Sequence, residues 1–535
     1  MDIFLLIFTL VAAAVMLPAY FFVLRYNLHM FQLNGYKNGE HANWIKKNIN
    51  KQLILFVLAA LGIVEAIIPQ SPKEMAALQI VLCSLLIVIS LIIIRYYLYL
   101  KRVNNKKKLV YTARVKRLVT TDSIINIIIA ILLAVFLPKG VYALPGVLAL
   151  LAALHFAALI VMNTVNKPIE KSINNYYIND AKKMLESNRQ IKVIGVTGSY
   201  GKTSVKYYLH TLLQEHFNVL ITPESYNTPM GVVKTIRSSL KPTHELFICE
   251  MGARHVGDIK EICDIVHPDM GVITSIGPQH LETFFNMENI VSTKYELGDA
   301  LPEGGMLFLN GDNEYVSGNA DKYKTKTFYR VNSEGEGYHA ENIKLTQTGT
   351  DFTVVAPSGE KENYHMKLVG AHNVINVVGA IAVANTLGVK LSDLIIPVRR
   401  ILPVAHRLEL LERGNVTIID DAYNSNPVGS KAAVETLNMF DGVRILVTPG
   451  MVELGDKEEE YNYKFGTYAA ANCDYVLLVG AKHTEPIKKG VLDSGFDENK
   501  CKVYDTLQEA LAYAYTIKDE GHKFILLEND LTDNY

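Results

Sequence analysis

"GVTGSYGKT" (195–203) is a Gly-rich turn closing on Gly-Lys-Thr, and its reading decides the architecture of the second half of this 535-residue chain. The residues before it, "IKVIGV" (191–196), form an apolar run of strand length, and those from Thr203 into the low 210s read as a helix. Strand, turn and helix in that order make a phosphate-binding loop. Backbone N–H groups of Gly198, Ser199, Tyr200 and Gly201 would turn inward, and the helix N-terminus would add positive dipole. Lys202 would reach the β- and γ-phosphates, and Thr203, followed by Ser204, would offer its hydroxyl to Mg²⁺. The usual loop has a glycine five positions before the Gly of the Gly-Lys pair. Val196 stands there, and Gly198 lies three before Gly201.

A second apolar strand, "ELFICE" (245–250), delivers Glu250 to its C-terminal edge, where such sheets hold a metal beside the phosphate loop. The Gly-marked turn that follows argues against a strand-end acid merely facing solvent. Strands and helical stretches alternate from about 190 onward, so the expected class is α/β. "VTIID" (416–420), "VRILVTPG" (443–450), "YVLLVG" (475–480) and "KFILLE" (523–528) continue the pattern as a Rossmann-like closing domain over about 410–535, after a phosphate-loop domain over 190–405.

The first 165 residues are different. Residues 3–24 are an uncharged apolar run long enough to cross a bilayer of roughly 30 Å. A signal peptide would need a basic leader, which is missing, and four more apolar stretches follow near 53–69, 77–98, 124–138 and 145–163. The segment "KRVNNKKKLVYTARVKR" (101–117) carries eight Lys or Arg and no acid, and 25–52 carries five basic residues against one Glu. Basic loops in the cytoplasm place the N-terminus outside and, after five crossings, the catalytic half inside with ATP. The expectation is an integral, multi-pass cell-membrane protein with an α-helical bundle. Ionisable residues in these spans are few, Glu65 and His155 among them, too few for a carrier pathway, so the bundle reads as an anchor or a platform for a lipid-linked substrate. A nucleotide-driven transporter would also carry an LSGGQ-like signature, which is missing. The formal net charge is −1 and the soluble half has no basic stripe, so no nucleic-acid partner is expected. The five cysteines have no metal-ligand spacing and read as small buried hydrophobes in a reduced compartment. Protein partners and oligomeric state are not written in the sequence.

"TGSYGKTS", "YNTPMG", "EMGARHVGDI", "IGPQHLETF", "TKYE", "LNGDN", "GAHNVIN", "AHRLE" and "DDAYNSNP" occur in the order seen in the Mur ligases, over roughly 190–480. The chain resembles most closely the MurF type, which joins D-alanyl-D-alanine to a muramoyl tripeptide with ATP and Mg²⁺. The resemblance implies that an acceptor carboxylate attacks the γ-phosphate, and that the amine then displaces phosphate from the acyl phosphate. It implies Lys202 as the phosphate lysine, Thr203, Glu250 and His280 as magnesium ligands, and Lys294 as a lysine that several members carboxylate to serve a second metal. On spacing alone His280 is equally a loop histidine. Asn227 matches the first of a family Asn pair, and Thr228 replaces the second.

His372 and Asn373 match the adenine-side motif, though a helix N-terminus with polar caps is the competing reading for His372. Arg407 and Asp421 are implied at the nucleotide, and Tyr423, Asn424 and Asn426 at the substrate. Soluble members begin with a domain that holds UDP, where this chain has apolar helices, and "FILLENDLTDNY" (524–535) lacks the family's Lys-Gly-Ser. The acceptor is therefore expected to be UDP-linked, lipid-linked, or another polymer such as poly-γ-glutamate.

Overall fold

A computed structural model describes residues 2–68, 73–103, 108–136, 140–188, 190–346, 349–368, 370–422 and 425–529. The chain forms two compact units, one up to Asn175 and one from Tyr176.

The first unit is helical: α1 (Asp2–Leu33), α2 (Asn38–Lys47), α3 (Leu53–Ile67), α4 (Lys73–Val103), α5 (Ala113–Phe136) and α6 (Leu144–Ser187), the last crossing the unit boundary. Met16, Leu28, Phe31, Leu55, Leu86 and Ile93 close its core. The outside is also apolar: Phe21, Phe56, Val88, Leu91 and Val161 are exposed. Four described helices, α1, α3, α4 and α6, are long and apolar enough to cross a membrane, against the five expected. The remaining stretch, 124–138, is the C-terminal part of α5, and its last two residues lie outside the described residues.

Two polar clusters inside the bundle are paired. Glu65 accepts from Gln79 Nε2 at 2.7 Å and from the Gly146 amide at 2.9 Å. Asp122, just before the apolar stretch of α5, accepts from Tyr20 Oη at 2.7 Å and Asn126 Nδ2 at 3.0 Å, with His155 Nε2 at 3.3 Å. Such satisfied networks fix one arrangement of the helices.

The second unit holds two sheets. The larger contains β1 (Lys192–Thr197), β2 (Val219–Ile221), β3 (Leu246–Glu250), β4 (Met270–Ile273), β5 (Met306–Asn310), β6 (Lys326–Arg330), β7 (Tyr338–Thr346), β8 (Gly349–Val355) and β9 (Lys361–Met366). Their order is β2-β3-β1-β4-β5-β6-β7-β8-β9, parallel as far as β7 and then antiparallel. From β1 the chain crosses to the edge strand β2, returns to β3 beside β1, then crosses to β4 on the other side. The turn after β1 therefore sits at the switch point where open α/β sheets take their ligands.

The smaller sheet contains β10 (Glu409–Arg413), β11 (Val416–Asp421), β12 (Val443–Thr448), β13 (Tyr475–Val479), β14 (Cys501–Tyr504) and β15 (Lys523–Glu528), in the order β10-β11-β15-β12-β13-β14. Only β10 runs antiparallel. All five cysteines are buried with no disulfide among them: Cys83 in α4, Cys249 and Cys263 in a core of the larger sheet, Cys473 and Cys501 in that of the smaller.

Candidate active site

The phosphate loop is built from β1 and the helix α7 (Lys202–Leu213). Gly198 has φ +147, and a Cβ there would lie 2.1 Å from Thr274 Oγ1. Gly201 has φ +80, and its Cβ would meet Asn376 Oδ1 at 2.8 Å, so only glycine fits either position. The loop is pinned to the segment after β4. Ser199 N and Tyr200 N both donate to Ser275 O, Ser199 Oγ donates to Gly277 O at 3.0 Å, and Tyr200 Oη donates to Pro278 O at 2.9 Å. That segment leads directly to His280. Lys202 curls onto its own loop, donating to Gly198 O at 2.7 Å and Ser199 O at 2.9 Å. Burial pulls its ammonium down to about 8, with Glu250 opposing and Arg407 reinforcing the shift. Ser204 is buried at the start of α7.

Glu250, at the end of β3, is the hub. Thr203 Oγ1 donates to its Oε1 at 3.0 Å, Asn227 Nδ2 to the same oxygen at 2.9 Å, and Lys206 Nζ to Oε2 at 2.9 Å. Burial works against this carboxylate, but Lys206, Lys202 and the Asn227 amide outweigh it and hold the group below its usual range. Asn227 is set by the turn into α8 (Pro229–Ser239), whose N-cap is Thr228. Thr228 thus serves the helix, with its side chain accepting from Gly231 N at 3.3 Å.

His280 stands in a left-handed backbone conformation, φ +54, and its Nδ1 bonds Glu453 of the C-terminal part. Burial lowers its imidazole pKa, with Glu453 opposing. Lys294, in the helix Met287–Asp299, is fully buried, its Nζ 5.9 Å from the centre of the Phe284 ring. Burial, reinforced by Lys202, drives its ammonium well below the ordinary lysine value. Among the described residues no three His, Cys, Asp or Glu side chains form a metal-holding group. Of the implied magnesium ligands, Thr203 and Glu250 are brought together by the bond between Thr203 Oγ1 and Glu250 Oε1.

The helix Ala371–Thr386 faces the loop. Asn376 packs on Gly201, and Asn373 Oδ1 accepts from Tyr208 Oη of α7 at 2.8 Å. Burial pulls His372 down to about 4, so it is neutral at physiological pH. Arg407 lies close enough to disfavour charge on Lys202 and Lys206 and to favour it on Asp421. Asp421 ends β11 and is raised to about 6 by burial, with Arg407 opposing. Asn426 caps the helix Pro427–Leu437, accepting from Val428 N and Gly429 N. Tyr423 and Asn424 lie outside the described residues.

Two family models match, together covering more than half the chain: Mur ligase middle domain over 196–384, and Mur ligase, glutamate ligase domain over 406–527. The chain belongs to the Mur ligases. Curated relatives include the UDP-N-acetylmuramoyl-tripeptide--D-alanyl-D-alanine ligases of Escherichia coli (strain K12), 31% identical over 54% of this chain and 64% of that protein, and of Bacillus subtilis (strain 168), 32% identical over 54% and 63%. The chain thus spans just under two thirds of the length of these relatives. Among solved structures, MurF from Acinetobacter baumannii is 26% identical with a TM-score of 0.61, covering 66% of this chain and 77% of that one. MurF from Thermotoga maritima, solved with ADP, shares the fold at 24% identity and a TM-score of 0.60, covering 67% of this chain and 80% of its own.

The structure brings three further residues to this candidate site that the sequence reading did not single out. Lys206 lies four residues after Lys202, hence on the same face of α7, and that spacing could have marked it. Glu453 approaches from 173 residues away, and no local pattern points to it. Glu528 ends β15 beside Asp421 in parallel register and is bonded by Ser425 Oγ and by Thr448 Oγ1, the latter at 2.9 Å. Burial raises its carboxyl to about 8, and Asp421 adds to the shift.

Proposed function

We propose that this chain is an ATP-dependent amide ligase that activates a peptide carboxylate as an acyl phosphate and transfers it to an amine. The preferred pair is a muramoyl peptide as acceptor and D-Ala-D-Ala, or a related dipeptide, as amine. The observation that carries the reading is the hub at Glu250, where the loop hydroxyl of Thr203, the Asn227 amide and a lysine converge on one ionised carboxylate beside the phosphate loop.

In this reading the γ-phosphate enters at the loop 198–201, where the Ser199 and Tyr200 N–H groups exchange Ser275 O for it and Lys202 leaves its loop carbonyls to meet it. The Asn376 and Asn373 side of the helix Ala371–Thr386 borders the nucleotide, with neutral His372 against the base. Arg407 and Asp421 approach from the C-terminal sheet. Thr203 and Glu250 present hard oxygens side by side, which suits Mg²⁺, and His280 completes the set. Bound there, the ion would neutralise charge developing on the transferred phosphate. Burial shifts Lys294 toward the free amine, the form able to take up CO₂ as a carbamate. Asn426, and with it Tyr423 and Asn424, is assigned to the substrate side.

The helical unit is read as an integral membrane domain with the catalytic half cytoplasmic. Its outward apolar surface supports this, including on α5, where Ile127 is 58% and Val135 71% exposed. On that count α5 is the fifth crossing. The family models begin only at 196, so the helical unit stands outside them. That observation favours a second reading for the acceptor, a peptide already carried on a lipid.

The test is ADP release by the detergent-purified chain with D-Ala-D-Ala, comparing a UDP-muramoyl tripeptide with the same tripeptide on a polyprenyl carrier. Turnover with the lipid form alone makes the helices a substrate platform, and turnover with the UDP form makes them an anchor. Amide synthesis surviving in Lys202→Ala or Glu250→Ala would overturn the site.

A further inference from the structure

Glu453 reaches the candidate cation site from the other sheet's domain. It sits after β12 in "GMVELG" (450–455) and bridges two residues of the larger-sheet domain: its Oε2 bonds His280 Nδ1, and its Oε1 lies 3.3 Å from Arg254 Nη2. The two loops pack together, since a Cβ on Gly455 would lie 3.8 Å from the Glu282 amide. Both His280 and Glu453 hold left-handed backbones, φ +54 and +64. Non-glycine residues keep such conformations only where surroundings impose them.

A carboxylate accepts, so the ring nitrogen facing it carries the hydrogen. In a neutral imidazole that leaves Nε2 with a bare lone pair, the only side able to hold a cation. Metal-binding histidines generally give their second N–H to a carboxylate, which fixes ring and tautomer. Here that carboxylate belongs to a different domain from Thr203, Glu250 and His280. We propose that Glu453 is a positioning residue that makes divalent-cation binding depend on seating of the C-terminal domain. It sets His280 as the Nδ1–H tautomer, while Arg254 steadies its second oxygen. The proposal rests on His280 acting as a cation ligand, as argued above.

The experiment uses the full chain in detergent, with a non-hydrolysable ATP analogue, and reads Mn²⁺ binding by electron paramagnetic resonance. Outer-shell partners typically contribute ten- to a hundredfold to metal affinity, so Glu453→Ala and His280→Ala should each weaken Mn²⁺ by about tenfold or more. Glu453→Gln keeps a carbonyl acceptor for Nδ1–H and should retain most of the affinity. The double variant should bind no more weakly than His280→Ala alone, because Glu453 acts only through that ring. Unchanged binding in Glu453→Ala beside weakened binding in His280→Ala overturns the proposal and leaves the cation role of His280 standing. Unchanged binding in both removes that role and the proposal with it. Equal losses in Glu453→Gln and Glu453→Ala, additive with His280→Ala, would reduce Glu453 to a structural contact and also overturn it.

Discussion

Replacing Lys206 with methionine tests the central electrostatic argument. Lys206 is fully buried and Glu250 is 1% exposed, and their side chains meet at 2.9 Å. The substitution keeps the length of the aliphatic stem and removes the ammonium, so Glu250 loses one of its three direct donors. Breaking a buried ion pair from one side costs about 3–5 kcal/mol, because the remaining charge keeps its desolvation cost. Thr203 and Asn227 stay in place, which puts the expected loss near the lower end, about 3 kcal/mol. For a domain of 150–250 residues that corresponds to a fall in melting temperature of roughly 6–12 °C. Calorimetry or the near-ultraviolet dichroism of the tyrosines should read it. Tryptophan fluorescence would not, since the single tryptophan, Trp44, lies in the helical unit. Adding Glu250→Gln removes the stranded charge, so the double variant should recover part of the loss, with a coupling of roughly 1–3 kcal/mol. A melting temperature unchanged in Lys206→Met, or strictly additive losses in the double variant, would refute the reasoning.

Gly201→Ala should lower nucleotide affinity by more than tenfold in calorimetric titration and cost roughly 1–3 kcal/mol of stability, since the new Cβ meets Asn376 at a strained φ. Glu528 gives a pH signature. Its folded value of about 8 exceeds the ordinary 4.5, so the folded state keeps a proton that the unfolded state releases. Its stabilisation is complete below about 4.5 and is lost as pH rises toward about 8. Glu528→Gln should flatten that part of the stability–pH curve, and an unaltered slope would refute the assignment. In the helical unit, Asp122→Ala would leave the Tyr20 hydroxyl proton without its acceptor and remove one partner each from Asn126 and His155, and should lower the melting temperature measured in detergent by several degrees. A variant that melts like the parent would show that this network carries no stability.

What could be read from the chain in advance was whatever rests on local pattern. The glycine turn, the apolar strand into Glu250 and the αβ alternation are short-range signals, and they place the glycine loop after β1 and Glu250 at the end of β3, as the structure has them. Thr228 was legible as a departure from the Asn pair, and the structure gives it a cap instead. The antiparallel ribbon β7–β9 carries no comparable signature. Long-range partners escaped for a plain reason: Glu453 and His280 are joined by the packing of two domains, and no spacing encodes that. Asp122 escaped because it lies two residues outside an apolar run, although a helix buries it as readily as the run itself. Lys206 carries no local mark of its burial against Glu250, because that contact joins residues 44 apart in the chain.

The burial of all five thiols has a practical side. Each of the three parts owns at least one: Cys83 among the helices, Cys249 and Cys263 under the larger sheet, Cys473 and Cys501 under the smaller. A thiol reagent added to the folded chain finds nothing to modify until a core opens. Mass-resolved labelling along a denaturant series would then report, from one unaltered protein, which part comes apart first and whether the helices outlast the catalytic sheets.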